Sequence, residues 1–190
     1  MQKLPREFYN RDTIVVAREL LGHYIVHRSQ CIERIGKIVE VEAYLGQHDL
    51  ASHSSKGLTK RTAPMFGLPG YAYVYLIYGM YNCFNVVTES VGIGAAVLIR
   101  AIEPIANITE RTQGPGLLCK AMMINRCFNA HDLLSDELFI TDADYEAPEH
   151  IIATPRIGVH YAKEWAIKPL RFYIHGNGFV SRGCNVTNNK

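Results

Sequence analysis

The chain has almost no surplus of charge. Among 190 residues, 20 Lys and Arg stand against 18 Asp and Glu, a formal net charge of +2 with histidine neutral. So small an excess excludes a polybasic coat protein or arm, which declares itself by a large surplus of Lys and Arg. Contact with a polyanion would have to rest on an uneven distribution of charge. Cysteine pairing is missing too. Cys31, Cys83, Cys119, Cys127 and Cys184 contain no C-x-x-C pair. An odd count without that spacing points to free buried thiols in a reducing compartment and away from a disulfide frame or a zinc site. No apolar run approaches the roughly 18 residues of a membrane span, and the polar stretch from Gln2 to Glu7 does not read as a signal peptide. A cytoplasmic protein that avoids the membrane is expected. Repeats, low-complexity tracts and interdomain linkers are absent as well. Together with 48% hydrophobic and 20% charged residues, this predicts one packed domain.

What is there is segregated charge. Residues 50–88 contain no Asp or Glu, only Lys56, Lys60 and Arg61, and the same stretch holds Tyr71, Tyr73, Tyr75, Tyr78 and Tyr81. Residues 132–149 are the reverse, with Asp132, Asp136, Glu137, Asp142, Asp144, Glu146 and Glu149 and no Lys or Arg. Beyond them the chain turns basic again.

Local patterns place these stretches on elements. Asp12, a short apolar-faced run and Gly22 read as cap, helix and stop over residues 12–22. Residues 24–27, 35–44, 71–77, 84–88 and 95–102 are rich in β-branched and aromatic side chains between polar turns, and predict strands. Gly114-Pro115-Gly116 opens a helix over 117–124, and weaker strands are expected at 138–141, 157–159 and 171–174. The fold class that results is α+β, built on a curved, mainly antiparallel sheet flanked by helices.

Three constellations could carry chemistry. On a strand Ile38, Glu40, Glu42 and Tyr44 share one face while Val39, Val41 and Ala43 share the other. Two acids and a tyrosine backed by an aliphatic face suit the wall of a polar site, although a half-exposed strand with solvated acids reads the same way. His53 sits between Ser52 and Ser54, but without a G-x-S-x-G elbow a nucleophilic triad is rejected. Tyr71, Tyr73 and Tyr75 alternate onto one face before a turn at Tyr78-Gly79-Met80. They form either a core ladder or a surface on which nucleobases stack, with an aromatic at the hairpin tip free to wedge between base pairs. Arg100, set among Val97-Leu98-Ile99 and Ala101-Ile102, needs a carboxylate or a phosphate as partner.

In order along the chain, Val39-Glu40-Val41-Glu42-Ala43-Tyr44-Leu45-Gly46, Ala51-Ser52-His53-Ser54, Tyr73-Val74-Tyr75-Leu76-Ile77-Tyr78-Gly79-Met80-Tyr81 with Asn85, and Leu98-Ile99-Arg100-Ala101 closely resemble the alkyladenine (3-methyladenine or methylpurine) DNA glycosylases. Gly114-Pro115-Gly116, Arg156-Ile157-Gly158 and Glu164-Trp165-Ala166 extend the likeness, so that one domain over 1–182 and a flexible tail at 183–190 are expected.

The resemblance implies an open-barrel-like domain with a protruding β-hairpin that excises damaged purines from double-stranded DNA, approached from the minor groove. Lesions in its range are 3-methyladenine and 7-methylguanine, with hypoxanthine and ethenoadenine as further ones. It implies that Glu42 activates the attacking water and that Arg100 lies near the water and sugar-phosphate. Tyr44, His53 and Tyr75 would sandwich the extruded base, Asn85 would disfavour the guanine 2-amino group, and Tyr78 would fill the gap in the duplex. No cofactor or metal is implied. No Lys matches a catalytic position, so a monofunctional enzyme is expected. A monomer is expected as well, nucleoid-associated in a bacterium. Leu117 departs from the family, which has a Lys after the Gly-Pro-Gly turn. The rival from another class is a damaged-DNA-binding protein that uses the same pocket without cleaving; a general RNA-binding β module is disfavoured by the ordered pocket set.

Overall fold

The computed structural model describes residues 2–143 and 145–181. The expected tail at 183–190 lies outside the described residues. A four-residue helix α1 (Arg6–Tyr9) precedes α2 (Thr13–Leu20), whose N-terminus is held by Asp12 accepting from the backbone N–H groups of Ile14 and Val15. Then come β1 (Tyr24–Ser29), the long β2 (Ile32–Tyr44), β3 (Ala72–Ile77), β4 (Tyr81–Thr88) and β5 (Ala95–Ala106). After α3 (Pro115–Ala121) the chain adds β6 (Leu138–Thr141), β7 (Ile151–Thr154) and β8 (Arg171–Ile174).

The strands form one antiparallel sheet in the order β3-β4-β5-β2-β1-β6, with β8 on β2 and β7 on β8. β2 serves two partners on one edge, β1 along Ile32–Lys37 and β8 along Glu40–Glu42, while β5 follows the other edge. That division bends the sheet. Beyond α3 the chain runs along the free edge of β3, where Ala130 N–H donates to Ala72 and Ala72 N–H to His131, so the sheet curls toward a half-barrel. One face of the sheet carries the core, with Ala72, Val74, Phe84, Val86, Val97 and Ile99 buried beneath α2 and α3.

Two sequence expectations are corrected. Ile38 does not share a face with Glu40, Glu42 and Tyr44; it lies in the core with Val41 and Ala43. The register shows why: Ile38 pairs with Ile102 but Glu40 with Ala101, leaving Val39 as an extra residue, and this bulge inverts the alternation. The next step takes up the register offset on the partner strand, since Glu40 pairs with Ala101 and Val41 with Ile99, so Arg100 is the extra residue on β5. Second, no strand forms at residues 157–159. Gly158 has φ +78° and the Ile157 N–H is donated to a side chain, so the strand forms instead at Ile151–Thr154. Among the thiols, Cys83 and Cys119 are buried as expected, whereas Cys31 and Cys127 are exposed. No helix among the described residues is long and apolar enough to cross a membrane.

Candidate active site

The face opposite the core is polar and aromatic. Strand register sets one row of side chains across it: Tyr73 opposite Asn85, Asn85 opposite Leu98, Leu98 opposite Glu42, and Glu42 opposite Arg171. Strands lie about 4.8 Å apart, so Asn85 and Glu42 stand about 10 Å from each other across the sheet. Over this row opens a cavity of about 330 Å³ whose wall includes Tyr44, His53, Tyr73, Tyr75, Asn85 and Leu98. Such a volume is within the range of small-ligand pockets.

His53 projects into it from a 3₁₀ turn (His53–Lys56), whose first residue is preceded by Ser52 accepting from the Ser54 N–H. The His53 and Tyr75 rings meet edge to face with centroids 4.6 Å apart, and His53 Nδ1 is hydrogen-bonded to the Tyr73 hydroxyl at 3.0 Å. Ser52 and Ser54 bond each other, and among the described residues neither pairs with the imidazole. Burial, with the Arg61 charge adding to it, lowers the His53 pKa to about 4, so the ring is neutral at pH 7. Burial likewise pushes the Tyr75 and Tyr44 hydroxyls up, so both stay protonated donors. Asn85 is fixed by its side-chain N–H donating to Tyr73 C=O at 2.9 Å. The two readings of the tyrosines divide between them: Tyr73 packs with Met65, Val87 and Ala96, whereas Tyr78 is 83% exposed.

The exposure of Tyr78 follows from the turn. Tyr78 and Gly79 have φ of +52° and +71°, and Met80 N–H donates to Ile77 C=O, the both-positive pattern of a tight hairpin turn. The tip thus holds Tyr78, Met80 and Tyr81 in solvent while Tyr78 also reaches the cavity wall. Tyr81 leans on α3 where a Cβ on Gly116 would meet its ring at 2.9 Å, so the Gly-Pro-Gly turn buttresses the hairpin. Lys120, three residues past the departing Leu117, lines the groove on that flank with Met80 and Tyr81. Asp132 lies beside Tyr71, at the opposite end of β3, about 20 Å from the tip at 3.3 Å per residue.

Glu42 and Arg100 do not line the cavity, but Tyr44, Leu98 and Ile157, which Glu42 pairs with or bonds to, do. Glu40 and Glu42 are completely buried, which excludes the solvated alternative for them. Glu42 Oε2 accepts from the Tyr44 hydroxyl at 2.9 Å, and Oε1 accepts from the Ile157 N–H at 2.7 Å and lies 3.2 Å from Arg100 Nη1. A carboxylate offers about four acceptor positions. About one is left for a small molecule.

Arg100 finds carboxylates as partners. Its Nε donates to Glu40 Oε1 at 3.0 Å, and although burial acts to lower its pKa, Glu42 and then Glu40 raise it on balance. Residues to which the sequence assigns no role complete the arrangement. Arg171 Nε donates to Glu40 at 2.6 Å, and Ser181 donates to Glu40 through N–H and hydroxyl. Arg156 makes a two-pronged pair with Asp49 with both side chains fully buried, donates to Ala43 C=O, and lies 4.7 Å over the Tyr44 ring. The buried acids Glu40, Glu42 and Asp49 are therefore balanced by Arg100, Arg156 and Arg171.

A family model described as methylpurine-DNA glycosylase matches residues 7–178. A protein of Legionella pneumophila (strain Corby), provisionally named 3-methyladenine DNA glycosylase, is 66% identical over 182 residues, covering 96% of this chain and 100% of its own. Proteins with the same provisional name from Myxococcus xanthus (strain DK1622) and Anaeromyxobacter sp. (strain Fw109-5) are 49% and 52% identical, covering 96% and 95% of this chain and 95% and 93% of their own.

Proposed function

The chain belongs to the methylpurine-DNA glycosylase family, and from that premise we propose that it flips a damaged purine out of duplex DNA into the cavity and hydrolyses its N-glycosidic bond. The observation that carries the reading is a fully buried carboxylate, Glu42, set directly behind an aromatic-walled cavity with one acceptor position to spare.

The chemistry follows from the substrate. The C1′–N bond is hidden in the duplex, so the nucleotide must leave the stack at a cost of a few kcal/mol, which stacking on Tyr44, His53 and Tyr75 offsets. Alkylation at N3 or N7 makes the purine cationic, which draws it to electron-rich ring faces and makes it a good leaving group. A neutral His53 does not repel that charge. The water oxygen bonds to C1′, its proton passes to Glu42, and the C1′–N electron pair leaves with the base, giving free purine and an abasic sugar. The alkylated base is already cationic and departs neutral, so no second acid is needed to protonate it, and the Glu42 carboxylate stabilises positive charge developing on the sugar. Arg100 holds Glu42 by charge and geometry. Asn85, fixed beside the pocket, disfavours a guanine 2-amino group without excluding it.

The defining test is base release from a duplex carrying one alkylated purine. Free base and an intact abasic strand are the expected products, with no borohydride-trappable protein–DNA adduct. Binding without release would favour a damage-binding protein, and a trapped adduct would require an amine nucleophile. Tyr78, exposed at the hairpin tip on the minor-groove side, is proposed to occupy the gap left by the base. Base–aromatic stacking contributes about 1–3 kcal/mol, so Tyr78→Ser should cut the preference for damaged over intact duplex about tenfold or more in competition binding. An unchanged preference removes the wedge role.

A further inference from the structure

We propose that Glu40 is a positioning residue that fixes Arg100 against Glu42. This rests on Glu42 being the base. Arg100 is the bulged residue of β5, so the ladder does not dictate where its side chain goes. An anchor must. Glu40, completely buried on the same face as Glu42, receives the Arg100 Nε at 3.0 Å, which leaves Nη1 at 3.2 Å from one oxygen of Glu42 and Nη2 at 3.5 Å from the Ser181 hydroxyl. The planar guanidinium has five donors in a rigid fork, so holding the Nε edge sets the direction of the others. The Glu40 oxygen that receives Arg100 also accepts from Arg171 Nε, and the other oxygen accepts from the Ser181 N–H. The four side chains Glu40, Glu42, Arg100 and Arg171 sum to zero charge, with Arg100 shared between the acids.

The consequence concerns the last acceptor position on Glu42. With Glu40 in place, Arg100 touches Glu42 by one nitrogen. Without the Glu40 carboxylate, Arg100 has only Glu42 to pair with and turns both prongs onto it. The bidentate pair occupies the position that the attacking water needs, and the carboxylate becomes a poorer proton acceptor. Glu40 touches neither water nor base, so substrate capture is spared.

The test is a set of single-turnover measurements at saturating enzyme, with binding to damaged duplex measured in parallel. Glu40→Gln should release base about 10- to 100-fold more slowly, with affinity within about threefold of the native protein. Because Glu40 acts through Arg100, adding Glu40→Gln to Arg100→Gln should cost no more than about twofold beyond Arg100→Gln alone. Glu40→Gln strands Arg171, so Glu40→Gln with Arg171→Met provides a fold-preserving companion. It should melt near the native temperature and still be slow. Full multiplicative loss in the Arg100 background, or recovery of rate together with stability in the companion, would overturn the proposal. If Glu42→Gln itself released base at the native rate, the base assignment would fail instead, a result separable from either of these.

Discussion

Glu42→Gln is expected to slow base release by about 10³-fold while leaving the protein folded and bound to damaged duplex. Glutamine keeps the shape and most of the contacts: its carbonyl can accept from the Ile157 N–H and Arg100, and its amide can donate to a Tyr44 hydroxyl that now accepts. What goes is the proton acceptor and the negative charge. General-base catalysis contributes about 10²- to 10⁴-fold, and loss of electrostatic stabilisation of the cationic sugar adds to that figure. Affinity should hold or rise slightly, because an acid near the phosphate backbone weakens binding and its removal leaves the buried acid–arginine cluster with one surplus positive charge. Single-turnover release and a binding titration on the same oligonucleotide check both halves. A rate within about tenfold of native would place the base elsewhere. Tyr44→Phe separates the roles further, since it keeps the ring for stacking and removes only the donor to Oε2.

The same buried cluster marks where sequence reasoning stopped. Glu42, Tyr44, His53 and Tyr75 were legible because they lie within short ordered motifs, and the need of Arg100 for a partner follows from one guanidinium in an apolar strand. The partner's identity does not, because it depends on two bulges, and a single extra residue at Val39 or Arg100 leaves no mark on composition or propensity. The same slip moved Ile38 from the acid-bearing face into the core. Glu40 was visible as the second acid on an aliphatic strand, but its distinction from a solvated acid is burial, which neighbours from β8 and the segment ending at Ser181 supply. Nothing in the sequence singles out Asp49. Its partner Arg156 is 107 positions away, and only the curl of the sheet brings them together.

Asp49→Ala should therefore be the most damaging substitution for stability, and it should slow catalysis although Asp49 is not part of the cavity wall. Removing it leaves Arg156 buried with the backbone oxygens of Ala43 and Trp165 but no counter-charge, in a side chain whose Nε already lacks a hydrogen-bond partner. Breaking a buried pair in this way costs about 3–5 kcal/mol. Asp49 also accepts from the N–H groups of Leu45 and Ala51, so the turn leading from β2 toward His53 loses its internal supports. At about 2–4 °C per kcal/mol for a domain of this size, Tm should fall by about 6–20 °C. The catalytic loss follows from position. Arg156 adjoins Ile157, whose N–H holds Glu42, and its guanidinium lies over the Tyr44 ring, so a displaced Arg156 disturbs the base and a stacking wall together. Replacing both partners, Asp49→Leu with Arg156→Met, should restore much of the melting temperature because no charge is stranded. Base release should stay depressed in that pair, since neither the anchor on Ala43 C=O nor the cation behind Tyr44 returns. A single Asp49→Ala that melts within about 2 °C of native would show that the pair contributes little, and a pair variant with full activity would confine Asp49 and Arg156 to holding the fold.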